Sequence, residues 1–254
     1  APGVQNFSFT ERPLSAAAVH DLAQRLAQIV FTTMLQLHYL PEEKTLIEVF
    51  PLDCKGKNGA NEQTQVCTPE VSTVHLGLSI AALQRYYDAM RHDPVIQKQI
   101  EQLIRVAADD LVDRMYDKKD GGFFETRNWK LETGDSKLET QSSQPETQNS
   151  EAENRGSGKT LIAQMTGIRG LLAAYKITHD PRYRTRAFET YEYAEKTLWN
   201  EDLEVYQDRV PRGVYKYTPL SVGTAVGALR ELIYEADNPQ QAVQIAKRMN
   251  AFVT

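Results

Sequence analysis

The stretch LIAQMTGIRGLLAAYKITHDPRYRTRAFETYEYAEKTLW, residues 161–199, holds two apolar patterns with helical spacing, separated by Thr-His-Asp-Pro. The first pattern comprises Leu161, Ile162, Met165, Ile168, Leu171, Leu172 and Tyr175. The second comprises Tyr183, Ala187, Tyr191, Ala194 and Leu198. Each pattern predicts a helix with one buried face. Because proline disrupts a helix interior but suits a helix start, Pro181 ends the first helix and begins the second, which predicts a hairpin.

An earlier segment, VHLGLSIAALQRYYDAMRHDP at residues 74–94, follows the same rule. Its first helix is predicted to bury Leu76, Ile80, Leu83 and Tyr87. The chain then turns at Pro94 and continues as a second helix to about Tyr116, which is predicted to bury Ile96, Ile100, Leu103, Ala107 and Leu111.

A third hairpin is predicted near the end of the sequence. PLSVGTAVGALRELIYEADNP, residues 219–239, turns at Pro239 and leads into a helix over residues 240–253. A further helix is predicted from about Leu14 to Tyr39. The fold class is therefore all-α, with repeated antiparallel helical hairpins, about seven main helices and little strand, arranged as a solenoid or as a partial or complete toroid.

The connections between hairpins are long, at about 40–71, 117–157 and 200–217, whereas the turns within hairpins are tight. A tetratricopeptide solenoid would instead keep a repeat of about 34 residues throughout. Long connections on one face suit a scaffold that carries its functional site on loops. We treat 1–254 as a single domain, with a low-complexity, mobile insert predicted at 131–157, where residues 131–155 carry six acids against two bases.

Glycines occur at two informative kinds of position. Gly167 and Gly170 fall inside a predicted helix, where glycine costs up to about 1 kcal/mol relative to alanine, so they indicate close approach of another helix. Gly121 and Gly122 predict a turn after which Phe123 and Phe124 cover the end of the core.

The sequence NRGSGKT, residues 154–160, ends like a phosphate-binding loop, but the spacing is wrong. Such a loop needs glycine where this chain has Glu153, and a carboxylate there would repel phosphate. No apolar run that could form the required strand precedes it. The segment therefore predicts a helix start capped by Ser157 or Thr160, and no cofactor is expected.

The composition indicates which classes of partner are excluded, and the positions of the cysteines indicate the cellular compartment. A net charge of −5 argues against nucleic-acid binding, and no apolar run approaches the roughly 20 residues that span a bilayer. Cys54 and Cys67 flank a polar loop, where a disulfide is predicted, with two reduced thiols as the alternative. With Ala1 at the start, as after signal-peptide cleavage, this favours a periplasmic or extracellular location. No metal site is expected, because neither cysteine has another Cys or His ligand close by.

The segment YDKKDGGFFE, residues 116–125, resembles the Asp-x-x-Gly-Gly-Phe element of α/α-toroid, six-hairpin-glycosidase-like proteins, and residues 167–199 are similar to one of their hairpins. The resemblance covers roughly residues 72–254. It implies the toroid fold of inverting glycoside hydrolases, N-acylglucosamine epimerases and the helical regions of certain thioredoxin-domain proteins. The chain departs from that pattern in two respects. It has three predicted hairpins, so an oligomer or larger complex would be needed to complete a ring of six. It also has no thioredoxin Cys-x-x-Cys motif, so redox activity is not implied.

The resemblance also implies a pocket where outer helices feed inner ones, near the helix starts at Ser72, Thr160 and Pro219. Helix N-termini favour anions and hydroxyl-rich ligands, and aromatic rings with carboxylates are typical of sugar sites. The candidate lining residues are Glu70, His75, Asp117, Asp120, Phe124, Glu125, Trp129, Lys159, Gln164, Asp208, Arg209, Tyr215 and Tyr217.

Acid–base chemistry on a glycosidic bond requires two carboxyls, about 6.5–9.5 Å apart in inverting enzymes. Asp120 or Glu125 paired with Asp208 is the predicted combination, although Asp120 is equally explained as a turn residue, as is Asp117. His75 is predicted either to transfer a proton, as in an epimerase, or to be a partly buried structural histidine.

Two functions remain open from the sequence. The main prediction is an exported, noncatalytic helical subunit for binding or assembly, with a carbohydrate or a protein as partner, because the number of hairpins is too small for a full ring. The alternative is a carbohydrate-active enzyme of glycoside hydrolase or sugar epimerase type that uses carboxylate acid–base chemistry.

Overall fold

The computed structural model describes residues 71–126, 158–208 and 218–253, together with isolated residues between 15 and 29. At 39–40, 45–46, 70 and 127–128 it describes the backbone alone. Within these ranges, six α-helices form three antiparallel hairpins, which confirms the prediction of an all-α hairpin fold. The residues described in the N-terminal region that are helical, as expected for the N-terminal helix, are Ala17, Asp21, Leu22, Arg25, Gln28 and Ile29.

The first hairpin consists of α1, Thr73–Ala89, and α2, Pro94–Asp110. Ser72 caps α1, and the Asp93 carboxylate caps α2 by accepting hydrogen bonds from two backbone amides. Proline is suited to the first position of α2, because an N–H at that position has no partner within the helix. After α2 the chain continues as a single π-helical segment, Leu111–Met115.

The second hairpin consists of α3, Leu161–Thr178, and α4, Pro181–Thr197. Thr160 caps α3 by accepting a hydrogen bond from a backbone amide, so one of the two predicted caps is confirmed. Asp180 caps α4 in the same way. Between the two helices His179 adopts a left-handed backbone with φ of 55°, and its amide donates to a carbonyl of the last turn of α3.

The third hairpin consists of α5, Pro219–Tyr234, and α6, Pro239–Val253. Thr218 and Ser221 form a reciprocal capping box at the start of α5. Pro94, Pro181 and Pro239 thus each begin the second helix of a hairpin, as the sequence predicts.

The six helices form two layers. α1, α3 and α5 are inner helices, with α3 packed between the other two, and α2, α4 and α6 each pack on the outside of their own hairpin partner. Thr73 lies against Gly167, and Gly77 lies against Gly170, so α1 and α3 run in the same direction. A Cβ on Gly170 would stand 2.7 Å from the Cα of Gly77. The predicted close helix approach is therefore confirmed at Gly170, whereas the group closest to Gly167 is the Phe123 ring, 2.5 Å from where a Cβ would stand.

The strands are short, in agreement with the prediction. The described part of the chain contains three antiparallel pairs: β1 (Tyr39–Leu40) with β2 (Thr45–Leu46), β3 (Glu70–Ser72) with β4 (Thr126–Asn128), and β5 (Trp199–Asn200) with β6 (Val205–Tyr206). The predicted extension of the N-terminal helix to Tyr39 is wrong, because Tyr39 pairs with Leu46 as a strand.

The core lies between the two layers and follows the predicted apolar stripes. In α4 the whole predicted stripe is buried, and in α3 all of it is buried except Ile162 and Tyr175, which are half-buried. In α1 the prediction is off by one position, because Tyr86 is buried and Tyr87 is half-buried. None of the described helices has the length and apolar character needed to cross a bilayer.

Candidate functional site

Three backbone hydrogen bonds join two long connections to the starts of the inner helices. The Thr73 amide at the start of α1 donates to the Glu125 carbonyl (3.0 Å), and the Glu125 amide donates to the Gly158 carbonyl (3.0 Å). The Leu161 amide at the start of α3 donates to the Asp208 carbonyl (2.7 Å). We call residues 158–161 the bridging segment, because the backbones of Glu125 and Asp208 both bond to it.

Asp117 organises the turn that precedes this region. Its Oδ1 accepts hydrogen bonds from the amides of Lys119 (2.9 Å) and Asp120 (3.3 Å). Gly121 and Gly122 follow with φ of 78° and 73°, a region that favours glycine, so the predicted turn is confirmed. Asp120 is exposed on this turn. The geometry is that expected for an acid in a turn, and catalysis by Asp120 remains a prediction.

The side chain of Gln164 holds the segment after the turn against α3. Its Oε1 accepts from the Phe123 amide (2.7 Å), and its Nε2 donates to the Phe123 carbonyl (2.7 Å) and the Thr160 carbonyl (3.3 Å). Gln164 and Phe123 have no solvent exposure. Sequence analysis placed Gln164 among the ligand-contacting residues, whereas the structure shows it bound to backbone groups inside the protein.

Lys159 connects the bridging segment to the turn. Its Nζ donates to Asp117 Oδ2 (2.7 Å) and to the Gly121 carbonyl (2.6 Å). The same nitrogen lies 5.3 Å from the ring centroid of Phe124 and 4.9 Å from that of Tyr193, within the range of cation–π attraction. The side chains of Lys159 and Asp117 are only 13% and 15% exposed. We call Lys159, Asp117, Phe124 and Tyr193 the lysine clamp.

The charge state of Asp117 follows from these contacts. Burial by itself would raise the pKa of the Asp117 carboxyl, but hydrogen bonds from Lys159 and from the amides of Lys119 and Asp120 outweigh it and lower the pKa. Asp117 is therefore held as the anion that pairs with the Lys159 ammonium.

Two other candidates lie at the start of α1. His75 is half-buried in the first helical turn, and its amide donates to the Ser72 side chain (3.3 Å). Glu70 lies in β3, opposite Asn128 of β4. His75 thus lies near the Thr73–Glu125 backbone contact, at the same end of the inner layer as the bridging segment.

Solved structures with a similar arrangement of helices include carbohydrate-active enzymes. Unsaturated glucuronyl hydrolase from Bacillus sp. GL1 superposes with a TM-score of 0.63 at 14% identity, over 92% of this chain and 55% of its own. Cellobiose 2-epimerase from Spirochaeta thermophila gives 0.63 at 13% identity, over 94% and 54%. The corresponding epimerase from Bacillus thermoamylovorans gives 0.56 at 14% identity, over 89% and 55%.

This chain has the α/α-toroid, six-hairpin-glycosidase-like fold. It spans about half the length of the toroid structures it matches. At the level of sequence, no protein-family model and no curated protein matches it.

The comparison contradicts the prediction of a noncatalytic binding or assembly subunit, because the matching toroids are a hydrolase and two epimerases. The alternative, a carbohydrate-active enzyme, fits these neighbours better. The overturned prediction rested on counting hairpins. That count measures how much of a toroid is present and does not report on the chemistry of its loops.

Several predicted residues lie outside the part of the toroid that the structure describes. These are Trp129, Arg209, Tyr215 and Tyr217 of the proposed ligand site, the Cys54–Cys67 pair, and the whole insert at 131–157. Among the described residues, no group of three or more His, Cys, Asp or Glu is arranged to hold a metal ion.

Sequence analysis missed one member of the lysine clamp, Tyr193. This residue lies on α4 outside the predicted apolar stripe, and its ring packs against the turn so closely that a Cβ on Gly122 would stand 2.5 Å from it. The adjacent glycines were the available signal, since they can mark close approach by another group. Their sequence could not indicate which group that is.

Proposed function

We propose that this chain is part of a carbohydrate-active enzyme of glycoside hydrolase type, with its site at the start of the inner helices. The observation that carries the proposal is the meeting of two acid-bearing connections at the bridging segment, through the backbones of Glu125 and Asp208. These acids are 83 positions apart in the sequence, by subtraction of 125 from 208. A helical-repeat scaffold with no chemistry at this end has no need to bring them to one edge.

In this proposal Glu125 and Asp208 form the acid–base pair. One carboxyl protonates the oxygen of the departing sugar, while the other removes a proton from the attacking water. Proton transfer from a positioned side chain accelerates such steps by about 10²–10⁴-fold. Glu125 is preferred to Asp120 because its backbone bonds directly to both α1 and the bridging segment, whereas Asp120 is exposed on the preceding turn.

Phe124 supplies a surface suited to a sugar ring in this proposal. It directly precedes Glu125, and its ring is half-buried. The Thr73 hydroxyl donates to the Phe124 carbonyl (2.6 Å), so the backbone that carries the ring is tied to α1. Aromatic faces stack on the apolar faces of sugars, as they do on other flat apolar groups.

The test uses Glu125→Gln and Asp208→Asn, which remove the carboxyl group while nearly keeping side-chain size. The substrate panel comprises aryl glycosides, cellobiose and unsaturated glucuronyl oligosaccharides, on the precedent of the matching toroids. We expect kcat on the hydrolysed substrate to fall by about 10²–10⁴-fold in each variant. The matched control is Asp88→Asn, an exposed acid near the opposite end of α1, which should retain full kcat.

Asp120→Asn completes the set, because it tests the second predicted carboxyl. If Asp120→Asn keeps its activity and Glu125→Gln loses it, the proposed pair is supported. The reverse result would assign the catalytic carboxyl that pairs with Asp208 to Asp120. If the wild-type protein hydrolyses none of the panel, or if both Glu125→Gln and Asp208→Asn keep wild-type rates, the proposal fails.

A sugar epimerase is the second candidate, favoured by the position of His75 in the first turn of α1. An epimerase removes a proton beside a carbonyl and returns it to the other face, a task suited to histidine. In deuterated water this reaction incorporates deuterium at the epimerised carbon of cellobiose, whereas hydrolysis releases glucose without it. Incorporation that disappears in His75→Asn would replace the hydrolase proposal by the epimerase one.

We also propose that the protein is exported and that Cys54 and Cys67 pair in the oxidising compartment. The support comes from the sequence alone, where the two cysteines flank a polar loop. An intact mass two hydrogens below that of the reduced protein would indicate the bond.

A further inference from the structure

We infer that Lys159 is a positioning residue for the acid–base pair, acting through the bridging segment and without touching the sugar. The inference rests on the proposed function for its catalytic consequence, but it has a structural consequence that can be measured without substrate. It starts from the fact that Lys159 lies inside the four-residue segment to which the backbones of Glu125 and Asp208 both bond.

Three of the four residues of the bridging segment have distinct attachments. Gly158 accepts a hydrogen bond from the Glu125 amide, Lys159 reaches the turn through its side chain, and Leu161 donates to the Asp208 carbonyl. The side chain of Lys159 therefore links this segment directly to the turn, beside the Gln164 side chain, which bonds to both Thr160 and Phe123. Any shift of the segment moves the backbones of both acids, because each is bonded to it.

The contacts of the lysine clamp are strong enough for this role. The ammonium of Lys159 makes two short hydrogen bonds, one of them to a carboxylate, and lies near two aromatic rings. Hydrogen bonds between charged groups are stronger than neutral ones, and low exposure limits competition from water. Loss of the ammonium would leave the Asp117 carboxylate without its cationic partner in a largely enclosed place.

A second anchor limits how far the disturbance would spread. Gln164 holds both backbone groups of Phe123 independently of Lys159, so the start of this segment stays in place when the clamp is broken. The residues left with a weaker attachment are Phe124, whose ring faces the ammonium, and Glu125, which bonds to Gly158. The expected effect is therefore local to the acid-bearing residues and does not require general unfolding.

The experiment compares Lys159→Met, which keeps a long unbranched side chain but removes the charge, with Lys119→Met. Lys119 lies on the same turn and is exposed, so its substitution changes the net charge equally without breaking the clamp. Lys159→Arg tests rescue, because it restores a cation at the same position. The two readouts are amide hydrogen exchange at Glu125 and Thr73, and separate kcat and KM values on the substrate that the wild-type protein hydrolyses.

We expect exchange at the Glu125 amide to be at least 10-fold faster in Lys159→Met, with exchange in the middle of α3 unchanged. We expect kcat to fall roughly 10- to 100-fold with KM altered less than about threefold, since small misplacement of catalytic groups has effects of this size. Lys119→Met should match the wild type in both readouts, and Lys159→Arg should recover part of the loss.

Unchanged exchange at Glu125 in Lys159→Met overturns the inference, whatever the activity. So does a wild-type kcat in Lys159→Met when Glu125→Gln is inactive, and in that case the proposed function stands. If Lys159→Met accelerates exchange at Glu125 but no carbohydrate is processed by the wild type, the clamp is supported and the proposed function is the part that fails.

Discussion

At the scale of single residues, the Asp117–Lys159 pair is an ion pair in a setting of low exposure, and its energetics depend on pH. The pKa of Asp117 is lower in the folded protein than its ordinary value of about 3.9. A lowered carboxyl pKa stabilises the fold at pH values above the ordinary pKa. This contribution is lost as the pH falls through the folded-state pKa.

The variant Asp117→Asn should therefore be less stable than the wild type by about 2 kcal/mol at pH 7, the scale of a charged hydrogen bond. The difference should shrink as the pH is lowered from 5 towards 2, because the wild-type carboxyl then becomes protonated as well. Urea unfolding at a series of pH values measures this. The control is Asp113→Asn, an exposed acid, and a gap between Asp117→Asn and wild type that stays constant with pH would contradict the assignment.

Residue-scale features also set the limit of what the sequence predicts about the site. The turn at Gly121–Gly122 and the cap at Thr160 depend on local backbone preferences, and both were predictable. Two other contacts join residues that are about 40 or more positions apart in the sequence. Tyr193 packs against Gly122, and Gln164 forms hydrogen bonds with the backbone of Phe123. No local pattern encodes such a pairing, so the sequence could not indicate that Gln164 bonds to the Phe123 backbone.

At the scale of elements, the hairpins were predictable because periodicity and proline placement act within each helix. Helix starts agree with prediction in α3 and α4, and so do the buried stripes, apart from the half-buried Ile162 and Tyr175 of α3. The error at Tyr39 arose where the helical pattern continued into residues that pair as a short strand. Pairing between strands is a tertiary contact, and such contacts override local helix preference.

The contact between α1 and α3 leads to a prediction about helix packing. A Cβ on Gly77 would stand 2.3 Å from the carbonyl oxygen of Thr166, which is backbone and cannot rotate away. Gly77→Ala should therefore destabilise the protein by about 1–3 kcal/mol, the usual range for overpacking, despite the better helix propensity of alanine.

Gly223→Ala is the matched control, because Gly223 is likewise the fifth residue of an inner helix but has open space around its Cα. It should stabilise α5 by up to about 1 kcal/mol. Thermal unfolding of both variants measures the contrast. A Gly77→Ala variant as stable as Gly223→Ala would mean that the two helices are farther apart than described.

At the scale of the whole molecule, contacts between the hairpins lie at both ends of the helices. The bridging segment joins the starts of α1 and α3 at one end. At the other end, Arg105 donates to the Thr178 carbonyl (3.3 Å), which links the first hairpin to the second. The first two hairpins are therefore held together both at the site end and at the opposite end.

Arg184 is the corresponding link between the second and third hairpins. Its guanidinium donates to the Glu235 carbonyl (2.6 Å) and to the Asp237 carboxylate (2.6 Å), and it lies over the Phe188 ring. Glu235 follows the last turn of α5, where backbone carbonyls lack helical partners and a cation is favourable. The third hairpin thus depends on Arg184 for part of its attachment to the remainder of the toroid.

The variant Arg184→Met, which keeps the apolar stem over Phe188, should lower the unfolding free energy by about 2 kcal/mol, as expected for charged hydrogen bonds. Because the lost contacts belong to the third hairpin, amide hydrogen exchange should accelerate in α5 and α6 more than in α1 and α2. Arg91→Met is the control, since the hydrogen bond that Arg91 makes among the described residues is to the nearby Asp88 carbonyl in the first hairpin turn. Equal acceleration in all three hairpins would indicate that the helices open as one cooperative unit, and that Arg184 stabilises the toroid globally without governing the docking of its last hairpin.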